Sequence, residues 1–566
     1  MTTPAQISAD SPKNGDGPAG RPERRIAINS GLLLLAYGFQ AAVSLVILGV
    51  IARYLGQAGL GRYALVISFI ELFIAFIDLG MNRILVREIS KDLEHADRYT
   101  SVIWTMRLLL SAAMLVIVAI AASSTGDNQL WLAIMVYYIA QTLFLLGDVF
   151  NSVFHGFQRM EYQFWGVLLS QAALLVFTVA VVLLDLGLVA LFGARLLANG
   201  LKLIIVWIIS NRRFAQAHLL WGIIPGFWVT ITNLPGTLRR WRLEGREEAR
   251  AWLDSQGQAL GQHWQDTTLA WRMLVESLPV GISLILRSYI WRGGIVLTVL
   301  WLGQQQGDLV NGLLYGPLRV VQQMRIIPAA FAAAMLPVFS NRAEGRMEEF
   351  DSAFAKSIKL FAAISLLIAL AFTFLADPIV TFLLGSDIDL AGAAQVLAFL
   401  GWVVVLYFPS WLYGVALVAL GRQHLETIGL ALGLLVGFLI ANWTIPAYGA
   451  LGVSLSIIAA EAVLFAVGTA AMWQHFHWRE LAPGLARIIA ACVATGLVFA
   501  LGDRFWQQQI APALPLGDTL TALLELLLLG GLGLAVFVGG LWLLRAFDED
   551  EQDAVRAMLR LPRGGS

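Results

Sequence analysis

A charged pair set into apolar sequence of membrane-crossing length constrains this chain more than any other feature. Between Ile51 and Lys91 one apolar run closes and a second opens, and the second carries Asp78 and Arg83 inside or beside it. An ionised carboxylate near hydrocarbon costs roughly 2.5–3.5 kcal/mol on insertion scales and persists only where it faces protein or a wet cavity. Soluble cores do not contain apolar runs this long on both sides of a charge. The expected classes are a channel, a transporter or an enzyme embedded in a bilayer.

Composition points the same way. Hydrophobic residues make up 58% of the 566 and charged residues 13%, about half the charge of an ordinary soluble domain. Apolar windows of about twenty residues fall near 28–52, 60–84, 101–122, 130–154, 162–184 and 187–210, then near 277–302, 310–338, 355–375, 391–417, 425–442, 447–472, 484–502 and 519–544. These fourteen windows predict an all-α integral membrane protein with both ends on one side. The single cysteine, Cys492, lies in a predicted span and excludes an intrachain disulfide.

Arginine placement sets the expected orientation. Arg21, Arg24 and Arg25 precede the first span, Arg87 and Arg98 follow the second, and Arg159 follows the fourth. A further group from Arg212 to Arg250 follows the sixth, and Arg342 and Arg346 follow the eighth. The alternate loops hold little beyond Arg53 and Arg504. By the positive-inside rule both termini are cytosolic.

The resulting organisation is a disordered cytosolic tail (1–26), a six-helix lobe (27–211), a cytosolic insert (212–273), a second six-helix lobe (274–473), two extra helices (474–545) and a C-terminal tail (546–566). Within the insert, Trp252, Leu253, Leu260 and Trp264 recur at helical spacing beside the basic stretch Arg239–Arg250. That pattern fits an amphipathic helix on an anionic membrane surface; a solvated linker is the plainer reading. Leu55-Gly56 with Gly61 and Tyr63 is echoed by Leu302-Gly303 with Gly312 and Tyr315, as expected of two lobes related by an internal repeat around a cavity.

Intramembrane charges are the candidate functional residues. Arg287 and Arg292 in the seventh span, and Arg319 and Arg325 in the eighth, have no acidic partner within those spans. Guanidinium keeps its charge when buried, and its planar fork suits phosphate oxygens. The four are candidates for a pyrophosphate-binding lining, with snorkelling and carbonyl bonding as the structural alternative. Arg107, Arg195 and Lys202 are candidates for the first lobe's side of the cavity, with a structural role the stronger expectation for each. Among the acids, Asp78, Asp148, Glu461 and Glu525 are candidates for ion or proton coupling. For Asp78 a structural pair with Arg83 or Arg87 is the stronger expectation. No metal-ligand spacing, nucleotide loop or nucleophile motif occurs, so no metal, cofactor or enzymatic role is expected, and nothing points to nucleic acid.

Ala52-Arg53-Tyr54-Leu55-Gly56, Gly61-Arg62-Tyr63, Asp78-Leu79-Gly80 and Arg83 with Val86-Arg87-Glu88 resemble the polysaccharide-transporter branch of the multidrug/oligosaccharidyl-lipid/polysaccharide exporter superfamily. Ser277 to Gly281, Arg292, Gly312 to Tyr315, Arg319, Pro328 and Leu336-Pro337-Val338 resemble its seventh and eighth spans. The family's aspartate after the span-seven arginine is replaced by Gly293-Gly294, and the insert is longer than the family's usual connection. The resemblance implies a lipid-linked oligosaccharide flippase of the bacterial inner membrane. The implied substrate is an undecaprenyl-pyrophosphate-linked repeat unit for O-antigen or exopolysaccharide, moved by alternating access. Its implied partners are that lipid-linked oligosaccharide, membrane lipids and, through 212–273, polysaccharide assembly proteins. A drug or cation antiporter of the same superfamily would want an acidic, aromatic cavity. A membrane glycan polymerase or ligase would want a large outer loop.

Overall fold

The computed structural model describes residues 22–547 apart from Trp221, Glu344, Ser386, Asp387 and His477; the expected tails over 1–21 and 548–566 lie outside the described residues. The described chain is almost wholly helical and has no strand, the arrangement that satisfies every backbone group without water. Helices α1 (Pro22–Asp78), α2 (Met81–Lys91), α3 (Ala96–Ser123), α4 (Asn128–Gly156), α5 (Met160–Leu183) and α6 (Gly187–Arg213) build the first lobe. The insert contributes α7 (Ile223–Thr232), α8 (Leu234–Leu243) and α9 (Arg246–Gly257). The second lobe comprises α10 (Gln262–Leu302), α11 (Gln304–Gln323), α12 (Ile326–Ala343), α13 (Met347–Phe374), α14 (Ala376–Leu384), α15 (Leu390–Leu400), α16 (Val403–Ala419), α17 (His424–Tyr448) and α18 (Ala450–Ala471). Helices α19 (Trp478–Phe505) and α20 (Asp518–Leu543) pack on each other and against α13 and α14.

Among the described residues, twelve helical runs are long and apolar enough to cross a membrane, against fourteen expected. Two places account for the difference. The run Gly31–Lys91 counts once although it breaks at Gly56, whose φ of 64° and ψ of −174° are open essentially to glycine alone. The expected eighth span is divided into α11 and α12 and is not among the twelve.

The sequence echo is a physical pseudo-symmetry. Gly303, like Gly56, joins two helices in an extended, positive-φ conformation (φ 79°, ψ 167°). Each break is followed by a glycine pressed onto the other lobe: a Cβ at Gly61 would strike the Asp308 carbonyl, and one at Gly312 would strike the Gln57 carbonyl. One turn further on, the rings of Tyr63 and Tyr315 meet edge to face at 5.9 Å. The lobes are therefore joined most closely at the arginine-poor face. Arg62 bridges to Asp308 at 3.1 Å, the Gln57 amide donates to the Leu309 carbonyl at 3.0 Å, and Arg53 donates to the Phe382 carbonyl at 2.8 Å.

At the arginine-rich face the bridges join α2 and the start of α3 to the first part of α10: Arg87 with Glu276, Arg272 with Glu88 at 2.9 Å, and Arg98 with Asp266 at 2.8 Å. The insert is folded and docked there. The Gln216 amide donates to Asp97, the His218 amide to Ser101 and the Leu220 amide to Thr105. The helix expected through Trp252 and Trp264 is interrupted at Gly261 (φ 56°). Trp264 is buried against Gly257, and Trp252 packs against Gly236. The exposed apolar stripe lies instead on α7 and α8, at Ile224, Trp228, Ile231, Leu234, Leu238 and Trp241.

Candidate functional site

The pocket under Tyr63 and Tyr315 holds more positive than negative charge. α6 brings Arg195 there and α11 brings Arg319; beside it, α10 brings Arg292 and the second half of α1 brings Glu71. Glu71 pairs with Arg292 at 2.5 Å across the seam between the lobes. Its other oxygen lies 3.5 Å from the Tyr137 hydroxyl. Arg195 and Arg319 have no carboxylate partner among the described residues. Arg195 donates to the Tyr63 hydroxyl at 3.4 Å and lies over the Tyr137 ring at 5.8 Å. Arg319 lies over the Tyr315 ring at 5.9 Å. The result is a ring of contacts in which three guanidiniums face one carboxylate and tyrosines supply the remaining polar surface.

This arrangement is costly in the closed geometry. The cavity bounded by Ser44, Tyr63, Arg195, Tyr315 and Arg319 has a volume of about 20 Å³, room for roughly one water. Guanidiniums that exchange bulk water for ring faces lose solvation that cation–π contacts of about 0.5–2 kcal/mol restore only in part. A diphosphate would supply paired oxygens in the geometry a guanidinium fork matches. Admitting one requires the lobes to part.

Arg287 and Arg325 belong to a second, neutral network inside the second lobe. Arg287 donates to Glu426 at 3.0 Å and lies over Trp411 at 5.4 Å. Arg325 donates to the Tyr407 hydroxyl at 2.9 Å and lies 5.4 and 5.5 Å from the ring centroids of Trp291 and Tyr407. The Trp291 indole donates to Glu461 at 2.9 Å, and Glu461 is wholly buried with its second oxygen unbonded among the described residues. Two cations thus face two carboxylates, Glu426 on α17 and Glu461 on α18.

Asp78 pairs with Arg107, not with Arg83 or Arg87. Arg107 is fully buried and also donates to the Leu145 carbonyl at 2.6 Å. Arg83 is exposed on α2, and Arg87 bridges to Glu88 and Glu276. Asp148 accepts from Asn82 and Asn151 at 2.5 and 2.9 Å. Sequence reasoning missed Glu71 and Glu426 and favoured a structural role for Arg195 over a cavity-lining one. A carboxylate within the apolar run Ile67–Asp78 was signal enough to raise Glu71.

Comparisons with known proteins agree with this architecture. A family model described as "Polysaccharide biosynthesis protein" matches residues 26–233, and one described as "MatE" matches residues 318–443. Among solved structures, a lipid II flippase MurJ in an inward closed conformation superposes with a TM-score of 0.61 at 13% identity, covering 89% of this chain and 97% of that one. An inward-facing multidrug resistance MATE family transporter of the MOP superfamily gives 0.58 at 17% identity, covering 77% and 94%. A Pyrococcus furiosus MOP superfamily transporter, described as having a binding pocket of reverse polarity, gives 0.52 at 17% identity, covering 80% and 96%. No curated protein sequence matches significantly.

Proposed function

We propose that this chain is a transporter of the multidrug/oligosaccharidyl-lipid/polysaccharide exporter superfamily and that it flips an undecaprenyl-pyrophosphate-linked oligosaccharide across the bacterial inner membrane, supplying surface polysaccharide synthesis. One observation carries this reading: Arg195 and Arg319 line the pocket without a carboxylate of their own among the described residues, and Arg292 beside them is matched by Glu71 alone. A site with excess half-buried guanidinium selects an anionic headgroup. A cation antiporter needs the opposite sign. The arginine-rich face is the cytosolic one on this reading, and the headgroup enters there while the chain stays in the bilayer. The diphosphate displaces Glu71 from Arg292 and gathers all three guanidiniums. The lobes then rock about the tyrosine pair, breaking the Arg62 and Gln57 bridges to open the far side.

The test is translocation of a fluorescent diphosphate-linked sugar in proteoliposomes. Charge-assisted hydrogen bonds are worth about 1.5–3 kcal/mol each. Arg195→Ala with Arg319→Ala is therefore expected to slow flipping by about a hundredfold or more. The pair of lysine variants should recover part of that loss, since charge is kept and the fork is not. Wild-type rates in the double alanine variant would remove the proposal.

A further inference from the structure

Directly behind the Glu71–Arg292 pair, on the other side of the same two helices, is an apolar groove. Neighbouring residues of a helix point about 100° apart, so Leu72 turns away from the pocket that Glu71 faces. Ile290 and Gly293 likewise turn away from the side of α10 that presents Arg292. With Leu297, Phe438 and Ala441 they bound a cavity of about 250 Å³. Its polar lining is slight, and the Ser456 hydroxyl there already donates to the Val453 carbonyl at 2.7 Å. Gly293 lies nine residues before Leu302, or about 14 Å along the helix, near the middle of a hydrocarbon layer of about 30 Å.

The geometry points to this groove as the seat of the headgroup-proximal isoprene units of the substrate's polyprenyl chain, held while the diphosphate lies among the arginines. The inference rests on the flippase reading and adds where the chain goes. Three observations support it. Leu72, Ile290 and Gly293 of the groove flank a wall between the lobes, closed by Glu71–Arg292, by the Ser288 hydroxyl donating to the Glu71 carbonyl at 3.3 Å, and by Phe76 against Tyr289 at 6.4 Å. A substrate with an anionic head and an apolar chain can therefore straddle that wall once the ion pair opens. The groove also takes Leu72 from the first lobe and its other walls from the second, so an occupant senses the lobes moving apart. Finally, a Cβ at Gly293 would meet open space, whereas one at Gly294 would strike Val453. The cleft is thus kept open at Gly293 and packed shut at its neighbour. Lipid tails are as apolar as the groove, so selection there is by shape, and a methyl-branched polyprenyl chain differs from a straight acyl chain in that respect.

The test uses the full chain in proteoliposomes with two substrates of one headgroup, a polyprenyl-diphosphate sugar and an n-alkyl-diphosphate sugar of equal carbon number. Wild type is expected to favour the polyprenyl form by about tenfold, and Gly293→Phe, which fills the cleft, to bring the ratio close to one. A retained ratio, whether both rates fall together or neither falls, overturns the inference. Thermal stabilisation of Gly293→Phe by inorganic pyrophosphate to the wild-type extent shows that the variant is folded with its arginine pocket intact. A second arm needs no transport. A diazirine-bearing polyprenyl diphosphate should label the peptides holding Leu297 and Phe438, with competition by polyprenyl diphosphate and none by phospholipid. Equal labelling by a diazirine phospholipid would make the groove a bulk-lipid contact and overturn the inference, even if flipping is observed. Absence of flipping in wild type with competable labelling retained would remove the flippase reading and leave chain binding standing.

Discussion

Arg107 is fully buried, and the two groups it bonds to, Asp78 and the Leu145 carbonyl, lie on different helices. Removing one partner of such a pair strands a charge and costs about 3–5 kcal/mol, while replacing both by apolar groups of similar size can be nearly neutral. Asp78→Ala is expected to lower the detergent-solubilised melting temperature sharply, and Asp78→Ala with Arg107→Met to recover most of it together with transport. A double variant that is stable but inactive would instead give the pair a direct part in transport. The same logic separates the two buried arginine groups. Glu461→Gln leaves Arg287 and Arg325 facing Glu426 alone and should destabilise the second lobe. Glu71→Gln frees Arg292 inside an already cationic pocket and should tighten pyrophosphate binding, read by calorimetry, as it slows turnover. At this scale the sequence disclosed which cations lie within spans, because an arginine in an apolar run is conspicuous. It did not disclose their pairing. Glu71 and Glu426 are distant in sequence from Arg292 and Arg287, and only the packing of α1 and α17 against α10 brings them together.

Breaks rather than helices decided what was legible among the elements. Long apolar runs identify themselves by length, so nearly every expected span has a helix at its position. The places that differ are those where a local conformation overrides the run: Gly56 inside the first run, the division between α11 and α12, and Gly261 inside the insert. In the insert this changes which side chains are presented. Trp252 and Trp264 share a helical period on paper, but Gly261 separates them into different elements and both pack inward. The stripe that remains, with Trp228 at 69% and Trp241 at 58% exposure, runs along α7 and α8 beside Arg239, Arg240 and Arg242. Aromatic and arginine side chains together suit the headgroup layer. Spin labels at Trp228→Cys and Trp241→Cys should show headgroup depth in anionic liposomes, and Trp228→Glu with Trp241→Glu should release the insert. Labels that read as fully aqueous would favour a protein partner for this stripe.

The whole molecule turns on a relation between the lobes that the sequence showed only as a faint echo. Leu-Gly, Gly and Tyr recur with unequal spacing, and nothing in that pattern says that each of the two glycines presses on the backbone of the other lobe. They do, because an interface that must close repeatedly gains from backbone-to-backbone approach, and any side chain at Gly61 or Gly312 would prop it open. Overpacking a close contact costs about 1–3 kcal/mol. Gly312→Ala is therefore expected to shift the conformational balance toward separation at the arginine-poor face rather than to unfold either lobe. Double electron–electron resonance between labels on α1 and α11 should show the longer distance gaining population. The converse experiment fixes the face shut. The Gln57 amide already touches the Leu309 carbonyl at 3.0 Å, so cysteines at these two positions lie within reach of a short bifunctional thiol reagent. Cys492, the chain's one cysteine, is buried in a span and is readily replaced by alanine. If transport requires this face to open, crosslinking Gln57→Cys to Leu309→Cys should arrest flipping, a cleavable linker should restore it on reduction, and pyrophosphate binding from the arginine-rich face should persist throughout. Undiminished flipping in the crosslinked protein would show that substrate leaves by a route that does not separate the lobes at their tyrosine-capped end.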